Sequence, residues 1–267
     1  MKSIHQLMSL KGRVALITGG AGHIGMALCE TLAELGASIV VLDVKESACR
    51  KAAARLNRKF GVRTLPLTID LGNERALRTV PGLLKQKMGR LDILIHCAAL
   101  GGTSPLEGWI VPLKKQSPST WRKALEVNLT SAFVLIQSCS SLLARSGRGS
   151  IINVSSIYGL VGPDMKLYAG LPMGNPAAYA ASKGGLIQLT RWLATVLAPG
   201  IRVNAITPGG VLRNQPAKFR QRYVAKVPLR RMATEEDLKG AVAFLASDLS
   251  SYVTGQNLVV DGGFTVW

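Results

Sequence analysis

Tyr179 and Lys183 stand four residues apart. On a helix that spacing puts both side chains on one face, so the lysine ammonium can approach the tyrosine phenol. Upstream, Ile151-Ile152-Asn153-Val154 has the apolar continuity of a buried strand and runs into Ser155 and Ser156, setting hydroxyls at a strand's carboxyl end. A phenol, a cation and a hydroxyl brought together suit proton transfer to or from an alcohol. A free phenol, with a pKa of about 10, is a poor base at neutral pH, but a neighbouring cation favours the phenolate and makes it a usable acceptor.

A second pattern lies near the N-terminus. The apolar run Arg13 to Thr18 meets Gly19-Gly20-Ala21-Gly22-His23-Ile24-Gly25, and Ile24, Leu28, Leu32 and Leu35 then recur at helical spacing up to a stop at Gly36. Ser38 to Asp43 is a second apolar strand ending in a carboxylate, roughly 20 residues after the glycines. Strand, glycine loop, helix, strand and acid in this order match the dinucleotide fingerprint: backbone amides and a helix N-terminus hold pyrophosphate, and the acid accepts from ribose hydroxyls. The alternative is a tight turn, with Asp43 capping the following helix.

The elements that must position these groups follow in order. Val62 to Asp70 reads as a third strand, placed at a sheet edge by Pro66, and Asp70-Leu71 leaves it near the adenine side. A helix from Asn73 to Met88 precedes a buried strand from Leu91 to Cys97 and a loop from Ala98 to Gly102. Thr103 to Ser119 is a long irregular connection, and Thr120 to Ala144 a helix that puts Asn128 on its apolar face. A buried amide needs a partner, so taken alone Asn128 reads as a satisfied core residue. Asn175-Pro176 has the order of helix cap and first-turn proline. Ile201 to Ile206 is a strand feeding the turn Thr207-Pro208-Gly209-Gly210. Thr234 caps a helix whose Glu235, Glu236 and Asp237 complement the helix dipole rather than act as catalytic acids, and Asn257 to Val260 closes the sheet.

The 267 residues fit one α/β domain. Hydrophobic residues make up 48% of the chain, yet no apolar run approaches the roughly 18 residues of a membrane span, and Met1 to Leu10 lacks the apolar core of a secretory signal. A cytoplasmic protein is expected. Cys29, Cys49, Cys97 and Cys139 lie far apart in apolar patterns and read as buried free thiols; with His5, His23 and His96 scattered, no metal site is expected. The net charge of +18 could serve nucleic acid, a membrane surface, an anionic substrate or a solvated exterior. No nucleic-acid motif accompanies it, which leaves the solvated exterior as the default, with no nucleic-acid or membrane partner.

Together, Thr18-Gly19 and the glycine loop, Asp43, Asp70, Asn128, Ser156, Tyr179, Lys183, Pro208-Gly209 and Val260-Asp261-Gly262-Gly263 resemble the short-chain dehydrogenase/reductase family, over residues from about Leu10 to the end. The resemblance implies a doubly wound parallel sheet of seven strands in the order 3-2-1-4-5-6-7, with helices on both faces, a nicotinamide cofactor and a homotetramer. It makes Tyr179 the catalytic acid/base, Lys183 the cation that lowers its pKa and bonds the nicotinamide ribose, Ser156 rather than Ser155 the residue that orients the substrate oxygen, and Asn128 the holder of a relay water. Cofactor contacts implied are Gly19, Gly22, His23, Ile24, Gly25, Asp43, Asp70, Leu71 and Ala98, then Tyr179, Lys183, Pro208, Gly209 and Val211. Asp43 predicts NAD over NADP, since it would repel a 2'-phosphate, although Lys45 and His23 are near.

The chain departs from the family pattern in four places. The glycines are spaced as in a longer sugar-nucleotide branch, with His23 where the shorter branch has glycine. His96-Cys97-Ala98-Ala99 replaces Asn-Asn-Ala-Gly, Arg213 stands where a threonine often contacts the cofactor, and about ten extra residues, roughly Pro163 to Gly174, separate Ser156 from Tyr179. That insertion is expected to be a substrate-side flap, and residues 211–231 a lid. The reaction expected is hydride transfer between the cofactor and a secondary alcohol or ketone. An epimerase or dehydratase using NAD transiently and a non-catalytic cofactor-binding regulator are the rivals. The substrate expected is a small alcohol or ketone, with a sugar or sugar-acid derivative as candidate; the cations Arg213, Lys218, Arg220, Arg222, Lys226, Arg230 and Arg231, together with Lys166, Lys114 and Lys115, read first as a solvated face, and the alternative is that they draw in an anion such as a sugar acid or sugar phosphate.

Overall fold

The computed structural model describes residues 1–102 and 104–267. Strands and helices alternate along it. After a short helix α1 (Ile4–Met8) come β1 (Val14–Thr18), α2 (His23–Glu34), β2 (Ser38–Asp43), α3 (Glu46–Phe60), β3 (Thr64–Thr68), α4 (Glu74–Lys87) and β4 (Ile93–His96). Then follow α5 (Pro118–Leu125), α6 (Ser131–Arg145), β5 (Gly149–Val154), α7 (Ala177–Leu197), β6 (Ile201–Pro208), α8 (Ala217–Ala225), α9 (Lys239–Ala246) and β7 (Asn257–Val260). The strands form one sheet in the order β3-β2-β1-β4-β5-β6-β7, every pair parallel. This is the doubly wound sheet the sequence predicts. Pro66 pairs opposite Val41 on the edge strand β3, where its missing N–H interrupts no second ladder.

Successive strand residues point to opposite faces, so each face has its own core. Ala15 and Ile17 of β1 join Leu28 and Leu32 of α2, Leu56 of α3 and Leu245 of α9 on one side. Val14 and Leu16 join Leu84 of α4, Leu135 of α6 and Leu193 of α7 on the other. Burial on both faces explains why β1, β4 and β5 read as unbroken apolar runs.

The helix expected from Thr120 to Ala144 is observed as α5, a π-helical turn over Glu126–Thr130, and α6 in succession. Its span Pro118–Arg145 meets the length and apolarity of a membrane span by composition, which corrects the expectation that nothing in the chain does, and half of its apolar window is buried within the fold. Tertiary packing accounts for that apolarity.

Candidate active site

From β1 to β6 every strand opens at its carboxyl end onto the same rim, and there the sheet gathers residues far apart in sequence. The chain leaves β1 at Gly19 with φ of 65°, a left-handed value suited to glycine. A Cβ on Gly19 would meet Ala98 Cα at 2.9 Å, and a Cβ on Gly25 would fall on the Gly19 carbonyl oxygen. These two positions tolerate only glycine because backbone approaches backbone there. Gly22 caps α2 without a side-chain bond, and His23 and Ile24 open this twelve-residue helix, whose free amides favour an anion.

Asp43 ends β2 beside the glycine loop: its carboxylate accepts from Ala21 N at 3.3 Å and from Val44 N at 2.8 Å. It does not cap α3, whose N-cap Lys45 makes no side-chain cap bond. Asp70 lies exposed beyond β3, accepting from Gly72 N at 2.9 Å, with Leu71 buried next to it. Ala98 N donates to Thr18 Oγ1 at 3.2 Å. At the far side Pro208 ends β6, Gly209 N donates to Val260 O at 2.9 Å, and the buried Val211 bridges to Ala233. A glycine floor closed to any Cβ, a helix amide end and a carboxylate at the end of the second strand fit a nicotinamide dinucleotide.

Tyr179 lies in the first turn of α7 and Lys183 one turn on, its ammonium 5.8 Å from the tyrosine ring centroid. Lys183 is only 2% exposed and donates from Nζ to Val154 O at 2.7 Å. Burial pulls its pKa down to about 8. Burial also raises the Tyr179 phenol above its ordinary value, with a hydrogen bond from Ser156 opposing the rise. Desolvation is the leading cause of that rise, and the ammonium expected to lower the phenol's pKa donates to a strand carbonyl one helical turn away.

Ser155 donates its hydroxyl to Lys183 O at 2.8 Å, fastening α7 to the end of β5, while Ser156 Oγ accepts from Tyr158 N at 3.3 Å beside Tyr179. Asn128, fully buried in the π-helical turn, accepts from Leu100 N at 2.7 Å and donates to Leu100 O and Ser182 Oγ, each at 3.1 Å. Its amide is satisfied, and it ties the loop after β4 to α7.

Thr18 Oγ1 accepts from Cys97 N and Ala98 N and lies 3.3 Å from His96 Nδ1. Nε2 is buried without a partner among the described residues. Burial, reinforced by the charge of Lys183, lowers the His96 pKa to about 3.

Next to Ser156 and Tyr179 opens a cavity of about 210 Å³. Tyr158, Tyr168, Phe219 and Tyr223 supply an aromatic wall, with Asn175 and Gln215 as its amides. Tyr158 and Tyr168 join hydroxyl to hydroxyl at 2.6 Å, and ring centroids run Tyr168 to Phe219 at 5.5 Å, Phe219 to Tyr223 at 5.8 Å and Tyr223 to Phe264 at 4.8 Å. A roomier cleft of about 420 Å³ beside Trp109 and Trp121 contains none of these groups.

Residues 163–174 are fastened to the segment 211–231. Lys226 pairs with Asp164 at 2.7 Å, and Arg222 donates to Leu167 O and Ala169 O. Arg213 pairs with Glu235 at 3.2 Å and Arg231 with Asp237 at 2.6 Å, so acids from outside the basic segment meet three of its cations. Lys218, Arg220 and Lys166 are exposed, and no cation lines the cavity among the described residues. Thr103, the first residue of the rim connection, lies outside the described residues.

The cap reading of Asn175 is also corrected: Pro176 is the N-cap of α7, and both polar atoms of the Asn175 side chain are buried without a partner among the described residues. Asn-Pro is a sound start signal in sequence, and nothing in the sequence shows that the amide points elsewhere. The aromatic wall was not foreseen as a unit, because its members are drawn from distant segments. Cys29, Cys49 and Cys139 are buried, Cys97 is half-buried, and all four are free thiols. Among the described residues no three of His, Cys, Asp and Glu gather as metal ligands would.

A doubly wound sheet with a glycine-loop nucleotide rim and a Tyr-Lys pair over a substrate-sized cavity defines an NAD(P)-dependent oxidoreductase of the short-chain dehydrogenase/reductase family, acting on CH–OH groups. The chain belongs to that family. Residues 19–265 match the family model described as enoyl-(acyl carrier protein) reductase. Cis-4-hydroxycyclohexanecarboxylate dehydrogenase of Sinomonas cyclohexanicum is 36% identical over 258 residues, covering 95% of this chain and 96% of that protein. A solved short-chain dehydrogenase of Leptospira borgpetersenii with bound NAD+ superposes with a TM-score of 0.83 at 35% identity, over 99% of this chain and 96% of that one. A gluconate 5-dehydrogenase of Burkholderia cenocepacia in complex with NADP and tartrate superposes with a TM-score of 0.86 at 29% identity, over 99% and 100%.

Proposed function

We propose that the protein is an NAD-preferring dehydrogenase of a small secondary alcohol of sugar-like or alicyclic type. The observation that carries this reading is the meeting of Tyr179 and Ser156 in the lining of the aromatic-walled cavity, with the buried Lys183 one helical turn beyond Tyr179. A flat aromatic wall suits the apolar face of a ring, and related proteins whose names specify alicyclic and sugar-acid substrates support the class.

In this reading Gly19, Gly22 and Gly25 with the opening amides of α2 hold pyrophosphate, Asp43 takes the adenine-side ribose hydroxyls, Asp70 and Leu71 flank the adenine, and Ala98, Pro208, Gly209 and Val211 flank the nicotinamide. The bound dinucleotide supplies the hydride acceptor. Tyr179 removes the hydroxyl proton of the alcohol while Ser156 donates a hydrogen bond to the same oxygen. Lys183 offers its remaining donors to the ribose and favours the phenolate form of Tyr179 that accepts the proton. Asn128 holds the relay: the π-helical turn takes its backbone out of the regular ladder, as at many functional sites. Residues 163–174 and 211–231 serve as flap and lid.

Asp43 favours NAD because a 2'-phosphate would place like charges together. We also assign a homotetramer acting in the cytoplasm: Trp192 and Val196 on α7 and Leu258, Val259 and Trp267 around β7 expose apolar surface, and four free thiols suit a reducing compartment. The test is to follow reduced cofactor by absorbance with a panel of cyclic alcohols, polyols and hydroxy acids, supplying NAD or NADP in turn. Accumulation of NADH with a cyclic or polyhydroxy secondary alcohol supports the reading. Turnover without net reduction, or a preference for NADP, contradicts it.

A further inference from the structure

Asn175 lies in the wall of the cavity, four residues before Tyr179, and both polar atoms of its amide are buried with no hydrogen-bond partner among the described residues. Leaving a buried polar group unmatched is costly, and such groups are rare enough in folded proteins to require a reason. Local folding supplies none, since α7 is capped at Pro176 without any side-chain bond.

The other polar side chains of the wall are engaged. Tyr158 and Tyr168 bond each other. Gln215 accepts from Arg213 N at 2.6 Å and donates to Val211 O at 2.7 Å, and the Tyr223 hydroxyl accepts from Gly210 N at 2.6 Å. Ser156 and Tyr179 form the reacting end. Apart from the hydroxyl protons left free on Tyr223 and on one member of the tyrosine pair, what remains for a ligand is one amide, carrying both a donor and an acceptor, in a lining without charge among the described residues. Because no described residue holds that amide, a side-chain rotation can bring it to the cavity that Asn175 lines without breaking a hydrogen bond among them.

We infer that Asn175 is a specificity residue that recognises a second, uncharged hydroxyl on the substrate while the first is oxidised at Tyr179. A hydroxyl both donates and accepts, matching the two halves of the amide; a carboxylate only accepts, and would leave the amide oxygen unmatched. The inference rests on the dehydrogenase reading and narrows it from secondary alcohols at large to diols and polyols.

The probes are cyclohexanol and the 1,2-, 1,3- and 1,4-cyclohexanediols, which share an apolar ring and differ by one hydroxyl. The readout is the ratio of kcat/KM for the best diol to that for cyclohexanol, in the wild-type protein and in Asn175→Leu and Asn175→Gln. A wild-type ratio of about 10 or more that collapses to about 1 in Asn175→Leu and recovers partly in Asn175→Gln supports the inference, tenfold corresponding to about 1.4 kcal/mol, the scale of one neutral hydrogen bond. A role confined to holding the flap in shape would move both substrates together and leave the ratio unchanged; an unchanged ratio overturns the inference, as does a wild-type ratio near 1. The same ratio taken from the Kd values of the cofactor-loaded protein requires no turnover. Absence of turnover with every alcohol would remove the dehydrogenase reading, and the Kd ratio would still decide the role of Asn175.

Discussion

The hydroxyls of Tyr158 and Tyr168 meet at 2.6 Å and join the turn that carries Ser156 to the insertion over the cavity. Tyr168 in turn packs its ring on Phe219 of α8. The insertion is also tied to the segment around α8 by the Arg222 bonds to Leu167 and Ala169 and by the Lys226–Asp164 ion pair.

Tyr168→Phe keeps the ring and removes one hydroxyl. Loss of one hydrogen bond of about 1 kcal/mol predicts faster amide hydrogen exchange across residues 163–174 and a KM several-fold higher, with kcat changed less. Unchanged exchange would show that the tyrosine pair does not hold the flap.

Gly25→Ala places a methyl group on the Gly19 carbonyl, where backbone rather than a flexible side chain must yield. We expect cofactor affinity to fall at least tenfold together with a lower Tm, read by cofactor titration and thermal unfolding. Unaltered affinity would remove the glycine loop from the nucleotide site.

His96 gives a pH prediction whose sign is fixed. Its folded pKa of about 3 lies below the ordinary 6.5, so between those values the unfolded chain takes up a proton that the folded chain refuses. Stability therefore falls as pH drops from about 6.5 toward 3, at up to about 1.4 kcal/mol per pH unit from this group. His96→Asn should flatten that decline in denaturant midpoints measured between pH 6.5 and 4. Parallel curves for the two proteins would show that His96 is not the buried neutral group described.

The basic segment predicts little salt dependence. Three of its cations meet acids and none lines the cavity among the described residues, so KM for an anionic hydroxy acid should change less than about twofold when ionic strength rises to a level at which exposed charges are screened within about 10 Å. A steep rise in KM would return Lys218 and Arg220 to substrate binding.

Much of this site was legible because its chemistry fixes short spacings. Tyr179 and Lys183 need one helical turn, the glycines one loop, and Asp43 one strand after them. Pro66 marked the edge strand for an equally local reason. What depended on surroundings was not legible: the burial that raises the Tyr179 phenol, the Val154 carbonyl that holds Lys183, and the acids Asp164, Glu235 and Asp237 that meet the basic segment all come from other parts of the chain. The aromatic wall likewise joins Tyr158 to Phe264 across more than 100 positions, a separation no local pattern spans. Asn175 was misread as a cap because its dipeptide is a genuine start signal, while the side chain lies beside the cavity.

The most direct test of the central claim is the turnover of Tyr179→Phe. This change deletes the phenolic oxygen and keeps the ring beside Lys183. With saturating cofactor and the best secondary alcohol, kcat should fall about 10²- to 10⁴-fold while cofactor Kd stays within about threefold, since general acid–base transfer contributes on that scale. A kcat within a few-fold of wild type would contradict Tyr179 as the proton acceptor and with it the mechanism proposed for this site.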